Sequence, residues 1–170
     1  DVKVLSELYA IGVVGAIAIN LPRPAAPARR CVRPSRRLRL HVNRMHEIAE
    51  LADPYRGRFK GSGENSGIAY AASVAEKVEL IREKTGQGPA AFIAEAISGC
   101  GGQVFFPDAY LRTAAAHVRK AGGLVIVDEV QTGFGRVGNH MWAHGPQGII
   151  PDIVTLGKPI GNGHPMAAVV

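Results

Sequence analysis

Cysteine is scarce. Cys31 and Cys100 are the two in 170 residues, 69 positions apart and outside any CxxC or Cys/His spacing, so neither a disulfide framework nor a zinc site is expected, no metal ligands are assigned, and a reduced compartment fits. No apolar run reaches the roughly 18 residues that would span a bilayer. The best, AIGVVGAIAI at residues 10 to 19, is too short and has no cationic leader. With 46% apolar residues, the expectation is a cytoplasmic globular protein with a real core and no membrane contact. Acids and aromatics are both missing from LPRPAAPARRCVRPSRRLRLHVNRM, which holds eight arginines; without those eight the net charge falls from +6 to −2. The basicity is therefore local. Single-strand nucleic-acid binders interleave aromatic stacking platforms with their cations, so a nucleic-acid module would rest on the arginines alone, and no nucleic-acid partner is expected.

What is present falls into two parts. Residues 1 to 45 end in that Pro, Ala and Arg stretch without helical or strand period, the composition of a disordered arm or of out-of-frame reading of GC-rich DNA. From residue 46 the character changes. HEIAELADPYRGRFKGSGENSG reads as a short helix-like piece and a glycine-rich polar loop. AYAASVAEKVELIREKTG then sets Val74, Val78 and Ile81 on one face and stops at Gly86, which predicts an amphipathic helix. AAFIAE, residues 90 to 95, reads as a buried strand. Pro107 is expected to open a second helix, PDAYLRTAAAHVRKAGG, with Leu111, Ala115 and Val118 inward. LVIVD at residues 124 to 128 has no alternation, as a strand buried on both faces would not. DIVTL (152 to 156) and MAAVV (166 to 170) repeat that type. Strand, helix, strand with short glycine connections predicts an α/β domain with a parallel sheet covered by helices.

Ligands of such sheets bind at the carboxyl ends of the strands, and three charged residues stand there: Glu95, Asp128 and Lys158. Taken singly, each has a plain reading. A carboxylate closing a strand often caps a turn, one of Asp128 and Glu129 can be a solvated group, and a lone lysine in a Gly/Pro loop is usually a surface residue. Together they share one rim, and glycine-rich segments (SGCGGQ, TGFGRVG, GKPIGNGHP) follow each strand, where backbone can approach a ligand closely. A lysine amine forms Schiff bases with carbonyls, and an acid beneath a pyridine ring keeps its nitrogen protonated, the pairing that pyridoxal phosphate enzymes use. A class I aldolase would need the lysine without the acid. GFGRVG does not fit the dinucleotide pattern GxGxxG.

DEVQTGFGRVG followed by PDIVTLGKPIGNGHP resembles the core of the class III pyridoxal-phosphate-dependent aminotransferases. AFIAEAISGCGGQ, GFGRVGNHMWAHGPQG and GKPIGNGHP are most similar to the branch containing ethanolamine-phosphate and phosphohydroxylysine phospho-lyases. The resemblance covers roughly residues 46 to 170. It implies the three-layer, parallel-sheet large domain of fold type I, incomplete here, with residues 46 to 170 forming part of the cofactor-binding domain. It implies that Lys158 is the catalytic residue, holding pyridoxal 5'-phosphate as a Schiff base and moving the Cα proton, that Asp128 pairs with the pyridinium nitrogen, and that Gln131 contacts the ring 3-hydroxyl. Glu95 would lie near ring and substrate. For His164 and Asn162, substrate contact and loop shaping stay open, and Trp142 is assigned to packing. The resemblance also implies a glycine/serine phosphate loop and a ring-stacking aromatic upstream, neither of which occurs in residues 1 to 45, and a small domain beyond Val170, so a fragment is expected. A small amine or amino-acid substrate and a homodimer follow. Three outcomes are weighed: transamination to a keto acid, phospho-lyase action on O-phosphoethanolamine or a similar phospho-amine, and an inert fragment.

Overall fold

The computed structural model describes residues 46 to 170 and the backbone of Ile17–Ile19. The arginine-rich stretch 21 to 44, with Cys31 and the expectations attached to both, lies outside the described residues.

Six strands form one sheet in the order β2-β1-β3-β4-β5-β6, with β1 at Ile17–Ile19, β2 at His46–Ile48, β3 at Ala91–Glu95, β4 at Leu124–Asp128, β5 at Ile153–Leu156 and β6 at Ala168–Val169. The centre is parallel, as expected: Phe92 pairs with Val125, Glu95 with Asp128, and Asp128 with Thr155. The edges are not. β1 runs antiparallel to β2 and β3, and β6 antiparallel to β5. The helix-like reading of HEIAE is corrected accordingly, because His46–Ile48 gains a strand partner in Ile17–Ile19 that no local pattern announces. MAAVV is likewise not another parallel strand. The segment from Leu156 to Ala168 is too short for the crossover of a dozen or more residues that parallel pairing requires, so the chain folds straight back.

Helix α1, Glu64–Thr85, begins five residues before the predicted AYAAS start. ENSG looks like loop because of Gly67, yet Gly67 is a point of close approach: a Cβ there would come within 2.0 Å of the Asp108 carbonyl oxygen. Its end is where the sequence placed it, at Gly86 in the left-handed region (φ 72°), whose N–H donates to the Arg82 carbonyl at 2.8 Å. Helix α2 is Tyr110–Lys120. Pro107 opens a turn rather than the helix itself, since Ala109 has φ 65° and breaks the helical path before Tyr110.

Both helices pack on one face of the sheet, where Val74 and Val78 of α1 and Leu111, Ala115 and Val118 of α2 share a core with Phe92, Ala94, Val125 and Val127. Full burial of each such aliphatic side chain contributes roughly 1.5–3 kcal/mol. Tyr70 ties α1 to the preceding loop: its hydroxyl donates to the Asp53 carbonyl at 2.9 Å and accepts the Phe59 N–H at 3.0 Å. The period of two sends Glu95, Ile126 and Asp128 to the other face, where they are half-buried and Leu124 is exposed. The expectation that LVIVD is buried on both faces therefore fails for the described residues, which supply two of the three layers. Among them no helix is long and apolar enough to cross a membrane.

Candidate functional site

The carboxyl ends of β3, β4 and β5 lie side by side, so the register itself brings Glu95, Asp128 and Thr155 into one row. Burial pushes the Asp128 carboxyl above its ordinary range; the Val130 N–H, the Lys158 charge and the Thr155 hydroxyl oppose that rise, while Glu129 adds to it. The Val130 N–H donates to Asp128 Oδ1 at 2.8 Å. Thr155 Oγ1 is buried and makes no well-aligned hydrogen bond among the described residues, although it lies close enough to stabilise the carboxylate. Glu95 is also raised, first by burial and further by the Asp128 charge, against the N–H groups of Gly99 and Cys100. The Gly99 N–H reaches Glu95 Oε2 at 2.7 Å.

Beyond β5 the chain turns abruptly. Gly157 is extended and lies against Val130, whose Cγ1 would sit 3.1 Å from any added Cβ. Lys158 then takes φ 39°, a left-handed conformation that ordinary side chains avoid. It starts the short 3-10 turn Lys158–Gly161, closed by Asn162 at φ 44°. This turn and the loop after β4 enclose a cavity of about 330 Å³ lined by Val130, Gln131, Arg136, Lys158 and Asn162. Gln131 reaches across to the loop after β3, its Nε2 donating to Cys100 Sγ at 3.0 Å.

The structure thus gathers Lys158, Gln131 and Asn162 around one cavity, with Asp128 at the adjoining strand end and Glu95 beside it. Asn162 shapes the loop through its backbone and also lines the cavity. His164 does not line it; it is exposed, and its N–H closes the turn on the Gly161 carbonyl at 2.8 Å. Trp142 packs edge-on against Phe134.

Glu129 is a further member that the sequence reading undervalued. It is fully buried rather than solvated. One carboxylate oxygen accepts the Thr132 hydroxyl; the other takes the His144 N–H at 2.9 Å and its Nδ1 at 2.8 Å. This clasp joins both ends of the loop that carries Gln131. Its signal was the acidic pair Asp128–Glu129 at the end of an apolar strand, but His144 stands 15 residues away and nothing local links them. Thr155 could have been found as the single polar residue within IVTL, opposite Asp128.

The groups present fit pyridoxal phosphate: a half-buried carboxylate for a ring nitrogen, an amide for a phenolic oxygen and a primary amine for an aldehyde converge on one rim.

A family model described as aminotransferase class-III matches residues 40 to 170. A Drosophila melanogaster protein named alanine–glyoxylate aminotransferase 2-like is 48% identical over 126 residues, 72% of this chain and 25% of that protein. Among solved structures, a phospholyase from Arthrobacter in complex with phosphoethanolamine superposes with TM-score 0.64 at 34% identity, over 73% of this chain and 29% of the other. The omega transaminase from Pseudomonas jessenii in complex with PMP gives TM-score 0.62 at 31% identity, over 72% and 26%. The chain spans about a quarter of the length of the curated relatives it matches. Its parallel centre is part of a fold type I large domain, and, with the family match covering most of its length, the chain belongs to the class III aminotransferases.

Proposed function

We propose that the protein is a pyridoxal-phosphate-dependent transaminase, moving an amino group from a small amine or amino acid to a keto acid. The observation that carries this reading is Lys158, set in a left-handed backbone at a strand end beside Asp128 and on a cavity shared with Gln131. Backbone strain of this kind collects at ligand sites. When bound, pyridoxal phosphate supplies an aldehyde for a primary amine and a cationic ring that draws electrons from the substrate Cα. Lys158 Nζ is the anchoring amine, and once released it is the base that takes the Cα proton and returns it. Asp128 holds a proton at the ring nitrogen; its burial strengthens that contact by excluding water. Gln131 orients the ring through the 3-hydroxyl, and Glu95 faces the substrate side. The same reading takes the protein to be a cytoplasmic homodimer, on the family resemblance and the scarcity of cysteine.

A second reading, phospho-lyase action on O-phosphoethanolamine or a similar phospho-amine, is favoured by the likeness to the Arthrobacter phospholyase. Lys158 and Asp128 would do the same work, and a β-phosphate would leave after the proton is taken. Titration with pyridoxal phosphate should produce a visible absorbance band in the wild-type protein and not in Lys158→Ala. A full band in that variant sinks the lysine assignment. Phosphate release from O-phosphoethanolamine without a keto acid then marks a lyase, keto-acid-dependent amine transfer marks a transaminase, and neither activity in the presence of the band marks an inert fragment.

A further inference from the structure

Six arginines fall within residues 46 to 170, and five of them, Arg56, Arg58, Arg82, Arg112 and Arg119, each pair with a carboxylate. Arg136 pairs with none of the described residues. It is exposed and stands in TGFGRVG between two left-handed glycines, Gly135 and Gly138. The loop around it is fixed all the same: Gly135 N–H donates to the Met141 carbonyl and Gly138 N–H to the Gly135 carbonyl, each at 3.0 Å. A guanidinium on a held backbone, with no carboxylate partner among the described residues, is available to bind an anionic ligand.

Its place adds the second observation. Arg136 and Gln131 are the two residues shared by the Lys158 cavity and an adjoining cavity of about 390 Å³. The second cavity is walled by Ile97, Phe105 and Val137 and carries the amides of Gln103 and Gln131. No carboxylate lines either cavity. A cation beside an acid-free hollow, next to the residue assigned to react with amines, suits an oxyanion at the far end of an amine substrate. A planar guanidinium binds phosphate or carboxylate oxygens in pairs.

We propose that Arg136 is the specificity residue that binds the anionic end, phosphate or carboxylate, of the amine substrate while the amine faces Lys158. This rests on the functional reading above for the identity of the amine end. The Arg136 contact itself can be tested without cofactor. Trp142, the single tryptophan, packs against Phe134 in the same loop and provides a fluorescence signal. Wild type, Arg136→Gln and Arg136→Lys would be titrated with O-phosphoethanolamine, β-alanine and ethanolamine. Loss of one charge-assisted, paired contact predicts a Kd for the two anionic compounds that is about tenfold or more weaker in Arg136→Gln, partial recovery in Arg136→Lys, and no change for ethanolamine. Weakening of O-phosphoethanolamine alone identifies phosphate, and weakening of β-alanine alone identifies carboxylate. Anion binding equal in wild type and Arg136→Gln, equal loss of all three compounds, or no anion binding by wild type overturns the proposal. A parallel titration with pyridoxal phosphate separates the two readings: if wild type forms no visible band, the functional reading fails, and the anion titration still decides Arg136.

Discussion

Lys158 offers the sharpest test of the site, because its amine and its backbone can be perturbed separately. Replacement by alanine and by glycine removes the amine equally, so any stability difference between the two variants reports the backbone. At φ 39° a residue with a Cβ bears roughly 1–2 kcal/mol of conformational strain, which glycine does not. Glycine gives back roughly 0.5–1 kcal/mol through the greater freedom of its unfolded chain. The balance is that Lys158→Gly should be more stable than Lys158→Ala by about 1 kcal/mol, a Tm difference of about 2–4 °C for a chain of this size. Urea unfolding of the two cofactor-free variants, followed by circular dichroism, measures it. Equal midpoints, or a more stable alanine variant, would refute the claim that position 158 is held in a strained conformation. Neither variant should form the visible band with pyridoxal phosphate.

The remaining expectations concern the two adjacent acids. The Asp128 carboxyl is raised chiefly by burial, so the folded chain binds its proton more readily than the unfolded one. Its contribution to stability is therefore fully present below the ordinary carboxylate range and is lost as pH rises through the raised value. Asp128→Asn should flatten that decline, leaving the variant at least as stable as wild type near neutral pH while binding pyridoxal phosphate more weakly; urea midpoints across acid to neutral pH check this, and a steeper decline in the variant contradicts it. Glu129→Ala should cost about 3–5 kcal/mol, because it strips a fully buried carboxylate from Thr132 and His144 and leaves their donors unpaired. A loss below about 1 kcal/mol in chemical denaturation would show that the loop closes without this clasp.

Signals that were local in the sequence carried through to the structure. Gly86 ends α1, AAFIAE and LVIVD are neighbouring parallel strands, and the rule for strand ends puts Glu95 opposite Asp128. What failed depended on partners far away in the chain. His46–Ile48 has a strand partner 27 or more residues earlier, Gly67 is shaped by Asp108, and Glu129 is held by a histidine beyond a glycine-rich loop. Periodicity reports how a segment meets water, and it cannot tell which other segment covers it. Arg136 was hidden for a related reason: in TGFGRVG the glycines drew attention, and an arginine stands out only once its fellows are seen to be paired.

Several departures from local physical rules gather at the carboxyl ends of the strands. Against the helices, Phe92, Val125, Leu111 and Val118 are buried without strain or unpaired charge. At the carboxyl ends of the strands, two carboxyls are raised, a threonine hydroxyl lacks an aligned partner, and Lys158 and Asn162 take left-handed backbone. Such departures are expected where binding outweighs stability. Their gathering on the same rim as Arg136, which pairs with none of the described residues, argues that they serve one ligand, with its reactive end at Lys158 and its charged end at the arginine. If instead they were accidents of packing, relieving them one at a time should change stability alone. If they serve a ligand, Lys158→Gly is more stable than Lys158→Ala and Asp128→Asn holds its stability near neutral pH while each weakens the cofactor's attachment, whereas Arg136→Gln leaves stability and cofactor unchanged and alters only which substrates bind.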